Sequence, residues 1–444
     1  PFGKITVLKT LAISKLTYLF VNLPDPDDTF LQELDCMFFK FLWNGKQSKI
    51  SKKHMCQSYE RGGLKMLNVY VFLSCMKLSW LRRMFSSSDS TLKDFVLCLY
   101  PDLHKLHLLG GEFTNILMNT IHNPFWHDVL KYFKRLNGKC VPNDIHDFNA
   151  EFIFYNSNIT VGHHTLYFKS WLNAGIFQVC HLLNDDGNYL PFDEFCGKYF
   201  VLKVNFLQYR GVIDAIRQYQ NKLQVETMAG YKLQTVKIWK IINEGNNSVQ
   251  RLFTDMDLLP VGIQKWNNTF IDLNWKQIFH KCHKVTGDCQ LKWLQFRIIH
   301  RILPTNRYLF LRKIVDSPIC SICQSGEETI VHLLWHCQHV AIFWNDLGEL
   351  LKSKCTHFVN FHFQEVLVLF GAQVNVYTDS AFDMIVLFAK YYIYKCKWTN
   401  SKPKVHIFMK MLKNRYKLER LNSIRLDKIK RFDLCWKPYE ALIV

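Results

Sequence analysis

Apolar residues recur every three to four positions along most of the chain, the signature of helices that bury one face. In the first twenty residues Ile5, Leu8, Ala12, Leu16 and Leu19 keep that spacing and predict an amphipathic helix. NLPDPDD then breaks it. A second helix is expected over Thr29 to Trp43, with Phe30, Leu34, Met37, Phe38 and Phe41 on one face. The polar, basic loop NGKQSKISKK and a turn at Gly62-Gly63 lead to a helix from about Asn68 to Met84. SSSDST, Ser86 to Thr91, is the best linker candidate. Residues 90–250 mix short helical patterns with turns: LLNDDGNYLPFDEF reads as a turn entering a helix, and 204–224 as a helix with Phe206, Val212, Ile213 and Ile216 on one face. Helices are further predicted over 290–302, from PTNRYLFLRK onward, around Ile342, Phe343 and Trp344, over 381–398 and over 405–432. The fold class is mainly α.

Composition narrows the picture. The 444 residues suit two to four domains, and a hydrophobic content of 49% excludes a disordered chain. The net charge of +19 favours a polyanion partner, nucleic acid before an acidic membrane surface. The charge is concentrated. Residues 40–83 hold ten Lys/Arg against Glu60 alone, 276–313 hold nine against Asp288, and 402–431 hold eleven against Glu419 and Asp427. The 15 cysteines are mostly scattered singly in apolar runs, as reduced intracellular thiols are. No signal peptide is apparent, and the apolar run Ile385 to Tyr394 is too short to span a bilayer. The expected localisation is cytoplasm and nucleus, in a ribonucleoprotein, not secreted and not on a membrane.

One stretch carries specific chemistry. PICSICQSGEETIVHLLWHC holds three cysteines and two histidines in twenty residues. Cys320-x2-Cys323 suits a knuckle that aims two thiolates at one ion, and His332-x4-Cys337 on a helical turn supplies two more ligands. Cys3His is a common set for a structural Zn2+. The competing reading is a core of Ile322, Val331, Leu333, Leu334 and Trp335 with thiols in it. His336 and His339 are rival ligands with poorer spacing, and Cys282, His283 and Cys289 lack a fourth partner.

These residues carry a family resemblance. LQFRIIHRILPTNRYL…PICSIC…ETIVHLLWHC…FW is similar to the zinc-binding region after the polymerase domain of LINE-type (non-LTR) retrotransposon reverse transcriptases. GKITVLKTLAISKLTYLFVNLPDP, FFKFLWNGKQSKI and GGLKMLNVYVFLSCMKLSWLRRM resemble the thumb and post-thumb of the LINE-1/Tx1-like branch. LFAKYYIYKCKW with a basic helix resembles its C-terminus, so the resemblance covers nearly the whole chain. It implies a thumb-like helical domain over 1–85, a central mixed region over 86–270, a zinc-binding region over 271–350 and a basic helical region over 351–444. It also implies binding of template RNA and target DNA, with the polymerase upstream in the same polypeptide. The family's palm carries a Tyr/Phe-x-Asp-Asp turn for two divalent metals. Asp27-Asp28 and Asp185-Asp186 sit in polar turns instead, so no catalytic residue is expected and the chain is read as a non-catalytic fragment of a transposable element. The alternative is a stand-alone, retrotransposon-derived zinc-knuckle interaction protein.

The basic patches give the expected nucleic-acid contacts. Lys46, Lys49, Lys52 and Lys53 cluster beside Trp43, which offers a stacking surface. Arg297, His300 and Arg301 are spaced to share a helix face. Lys410, Lys413, Lys417, Arg420 and Arg431 form a basic stripe, with Phe408, Met411, Leu418, Leu421 and Ile429 at other positions. Such a basic amphipathic helix suits RNA, a membrane surface or an acidic protein, and beside two other basic patches RNA or DNA is expected first.

Overall fold

The computed structural model describes residues 1–86, 91–200, 205–225, 235–254, 259–355, 358–371 and 380–443. Most of the serine-rich linker candidate therefore lies outside the described residues. The chain is mainly α; the paired strands among the described residues are Thr160–Val161 and His164–Thr165, an antiparallel hairpin. It divides into two compact units, each assembled from separated stretches. One comprises Pro1–Val7, Phe39–Met66 and Asp255–Val444, and the other Leu8–Phe38 and Leu67–Thr254. The expected segments 271–350 and 351–444 lie in the same unit, and residues of 1–85 belong to both.

In the unit holding Leu67–Thr254, helix Val69–Ser86 is the axis. It is apolar on most sides, which suits a helix surrounded by protein. Leu73, Leu78, Leu81 and Met84 are buried against helices Pro124–Asn137, Lys237–Glu244, Asn246–Thr254 and Ser14–Asn22. Lys77 is buried on the same helix, 3.6 Å from Asp25, and it donates to the Leu23 carbonyl. Trp80 Nε1 donates to Val21 O at 2.8 Å. These bonds fasten the NLPDPDD break. Asp27 there caps the next helix, accepting from Phe30 N–H at 2.7 Å, and Asp185 and Asp186 are exposed turn residues.

In the other unit the axis is helix Ser380–Trp398, buried on nearly every side. Helices Cys289–Ile299, Glu365–Phe370 and Val405–Arg425 pack on it, as does the turn His332–His336. The predicted turn at Gly62 is present with φ 78°; a Cβ there would stand 2.5 Å from the Phe279 ring, so only glycine fits. The helix expected over 405–432 is two helices, Val405–Arg425 and Ile429–Trp436. Asp427 takes a left-handed conformation (φ 53°), its N–H donates to Ile424 O at 3.1 Å, and Lys428 N–H donates to Ser423 O at 2.8 Å. That pair of bonds is a Schellman ending with aspartate where glycine is usual. Helix Phe2–Asn22 is long and apolar enough to cross a membrane by length and composition; within it Ile5 and Phe20 are buried against protein.

Candidate functional site

Cys320, Cys323, His332 and Cys337 converge, with their four ligand atoms all within 4.8 Å of one another. The loop that does this is closed by backbone bonds. Cys320 N–H donates to Gly326 O at 2.8 Å, and Gln324 N–H, from a left-handed residue, donates to Cys320 O at 2.9 Å. The Cys320 sulfur in turn accepts from the N–H groups of Cys323 and Ile322.

His332 and Cys337 are five residues apart. On an α-helix, with about 100° per residue, they would stand about 140° apart. The turn His332–His336 is instead a π-helix, and Cys337 N–H donates to His332 O at 2.8 Å. This wider i→i+5 turn brings the two side chains to one side. His332 Nε2 stands 3.3 Å from Cys323 Sγ, and Ser325 Oγ donates to that sulfur at 3.2 Å.

The two buried thiols shift in opposite directions. The hydrogen bond between Cys320 and Cys337 holds the Cys337 thiol below its ordinary range and pushes Cys320 above it; N–H groups of Val340 and His339, at the start of helix Gln338–Lys354, also favour the Cys337 thiolate. Burial lowers the pKa of His332, which keeps its imidazole neutral and able to ligate. A tetrahedral ion bound to sulfur at about 2.3 Å and nitrogen at about 2.0 Å sets ligand atoms about 3.5–3.8 Å apart. The widest separation here, 4.8 Å, exceeds that by about 1 Å, so the group could hold an ion after a small contraction. Among the described residues it is the metal-competent Cys/His group. His336 and His339 stand outside it, and His336 faces Glu365 at 3.8 Å. His283 is stacked on Tyr59 with centroids 3.8 Å apart.

A second fastening lies under the knuckle. Glu328 and Lys397 form an ion pair at 2.8 Å with side chains 0% and 2% exposed. Glu328 also accepts from Asn306 N–H at 2.8 Å, Ser321 N–H at 3.1 Å and Ser321 Oγ at 3.0 Å. Every lone pair that faces protein is used, the condition under which a buried pair is tolerated.

The first two basic patches meet in this unit. The pKa of Lys49 is lowered by burial and then by the neighbouring charges of Arg297, Arg312 and Lys46. Among the described residues none of these four cations has a carboxylate at ion-pair distance. Aromatic rings hold three of them: Lys49 Nζ is 5.5 Å from the Tyr308 centroid, Arg312 Cζ 3.6 Å from the same ring, and Arg297 Cζ 5.2 Å from Tyr394. Arg297 is largely buried and its Nε has no hydrogen-bond partner. Trp398, 58% exposed, stands edge-on to Tyr394 at 6.0 Å.

The remaining predicted contacts are dispersed. Trp43 is half-buried, edge-on to Trp293 at 6.1 Å. Lys53 is exposed, and Lys52 lies over the Phe39 ring. Arg297, His300 and Arg301 do not share a face. The helix ends at Ile299; His300 is buried, its Nε2 2.9 Å from Gly62 O, and Arg301 is left-handed and lies over Trp266 at 4.3 Å. His300 is a core residue. On helix Val405–Arg425, Lys410 and Lys417 are exposed, Lys413 is half-buried and Arg420 pairs with Asp433 at 3.5 Å. Arg431 lines a separate cleft of about 1520 Å³ with Lys276, His280 and Lys284. Sequence reasoning missed Arg312, Tyr394, Trp398, Glu328 and Lys397; the charge excess over 276–313 was the one signal that pointed at Arg312.

No protein-family model matches this chain, and no curated protein does.

Proposed function

We propose that this chain is the nucleic-acid-binding, non-catalytic C-terminal portion of a LINE-type reverse transcriptase, contacting template RNA and target DNA through Lys46, Lys49, Arg297 and Arg312. The observation that carries the reading is the convergence of these four cations, none of which, among the described residues, has a carboxylate at ion-pair distance. Like charges held together are relieved by phosphates, and arginine and lysine release counterions when they bind them. Trp398 beside Tyr394 offers a platform on which a base can stack. In this reading Cys320, Cys323, His332 and Cys337 hold a structural Zn2+, which closes the knuckle and takes no part in chemistry on the nucleic acid.

The test is fluorescence anisotropy with a 20-nucleotide RNA over a salt series. The wild type is expected to weaken linearly in log Kd against log salt. Lys49→Glu with Arg312→Glu is expected to weaken binding at least about tenfold and to flatten the slope by about 1–2. A salt-independent affinity rejects the reading. Metal analysis should find one zinc per chain, lost in Cys323→Ser. An antibody against residues 402–431 addresses the parent polypeptide, for which a band far above 52.7 kDa is expected. A stand-alone interaction protein is the second reading, favoured by the exposed leucines of helix Val405–Arg425.

A further inference from the structure

Helix Val405–Arg425 turns Phe408 and Leu412 into the core, both 0% exposed. Its other side is unusual. Ile407, Met411, Leu418 and Leu421 are spaced 4, 7 and 3 residues apart, with Asn414 completing a 4–3–4–3 seam. Leu418 is 62% and Leu421 58% exposed. Such spacing is the seam of a two-helix coiled coil. Ile407 and Met411 also line a groove of about 510 Å³, with Tyr392 and Cys396 on its wall. The seam thus begins in a groove and continues along an open helix face.

The rim of this surface is cationic. Lys395, Lys402 and Lys404 line the groove, and Lys410 and Lys417 flank the seam one residue before Met411 and Leu418. Among the described residues none of the five has a carboxylate at ion-pair distance. Arg415, on the opposite flank, is already paired with Asp288 at 2.7 Å and Glu419 at 2.6 Å. We propose that this face docks an amphipathic helix of a protein partner, apolar on its 4–3 seam and acidic along the edge that meets Lys410 and Lys417. From Ile407 to Leu421 the seam is about 21 Å long at about 1.5 Å per residue, so a partner helix of about 15 residues covers it. Nucleic acid would satisfy the lysines but leave aliphatic side chains, which do not stack on bases, in water. A second copy of the same face would set lysines against lysines.

The experiment titrates the full chain into two labelled 21-residue peptides, each with leucine at heptad positions a and d. One carries glutamate at e and g, the other lysine. The glutamate peptide is expected to bind, and the lysine peptide at least about tenfold more weakly. Leu418→Glu with Leu421→Glu should weaken the glutamate peptide at least about 100-fold. Both leucines are exposed, so this variant should keep the wild-type circular dichroism and melting. Lys410→Glu with Lys417→Glu should reverse the preference between the peptides, a result that misfolding does not give. The proposal is overturned if the glutamate peptide does not bind, if the charge-swapped chain keeps the wild-type preference, or if both peptides bind equally. It is also overturned if phosphatidylserine vesicles or a U20 RNA displace the peptide and lose binding in the leucine variant, since the face would then belong to a membrane or to nucleic acid.

Discussion

Lys397 illustrates how much a single side chain can settle. Its ammonium meets Glu328 out of reach of water, and the carboxylate holds Asn306 and Ser321 in place. Removing one member of such a pair strands a charge, which costs about 3–5 kcal/mol. Lys397→Met is therefore expected to lower the unfolding free energy of its unit by that amount in urea titrations. Lys397→Met with Glu328→Gln should cost distinctly less than the two single changes added together. A Lys397→Met chain as stable as the wild type would mean that water reaches the pair. His300 makes a related point through its proton. Burial depresses its pKa to about 4. The unfolded imidazole takes up a proton near pH 6.5 and the folded one does not, so its contribution is complete above pH 6.5 and is lost as pH falls toward 4. His300→Gln should flatten the stability profile across that window.

Helices were legible in the sequence because apolar spacing is a local property. Thr29 to Trp43 and 381–398 match helices Asp28–Trp43 and Ser380–Trp398 within a residue. Their endings and irregular turns were less so. Spacing alone gave His332 and Cys337 to a regular helical turn, whereas the π-helical turn is what aligns them. The break at Asp427 went unseen because aspartate rarely takes the left-handed ending that glycine favours. Asp427→Gly is expected to stabilise the chain by about 0.5–1 kcal/mol, read as a shift of the urea midpoint without a change of slope. The sequence places Phe408, Leu418 and Leu421 alike off the basic stripe, yet Phe408 is buried and the two leucines stand in solvent. Periodicity says which residues share a side of a helix; only tertiary packing says which side is covered. The same limit hid Arg312 and Tyr394, whose partners are distant in the sequence.

At the scale of the molecule, buried imidazoles occur in both units. Burial lowers His107 and His181 to about 4 in one, and His283 and His300 to about 4 in the other. All four act in the same direction: each withholds stability as pH falls from 6.5 toward 4. Melting temperatures measured from pH 8 to pH 4.5 are expected to hold steady down to about 6.5 and then fall. A flat profile to pH 4.5 would mean that the imidazoles are solvated.

The interleaving of the two units along the chain also sets an order on biosynthesis. As the polypeptide leaves the ribosome, every residue of the Leu8–Phe38 and Leu67–Thr254 unit exists once position 254 has emerged. The strip Phe39–Met66, by contrast, must wait for helices made much later. It carries Lys46, Lys49 and the Gly62 carbonyl that receives His300. One unit can mature while the other is held open by the calendar of translation, and a gene cut at position 255 would yield a half that never receives its missing strip.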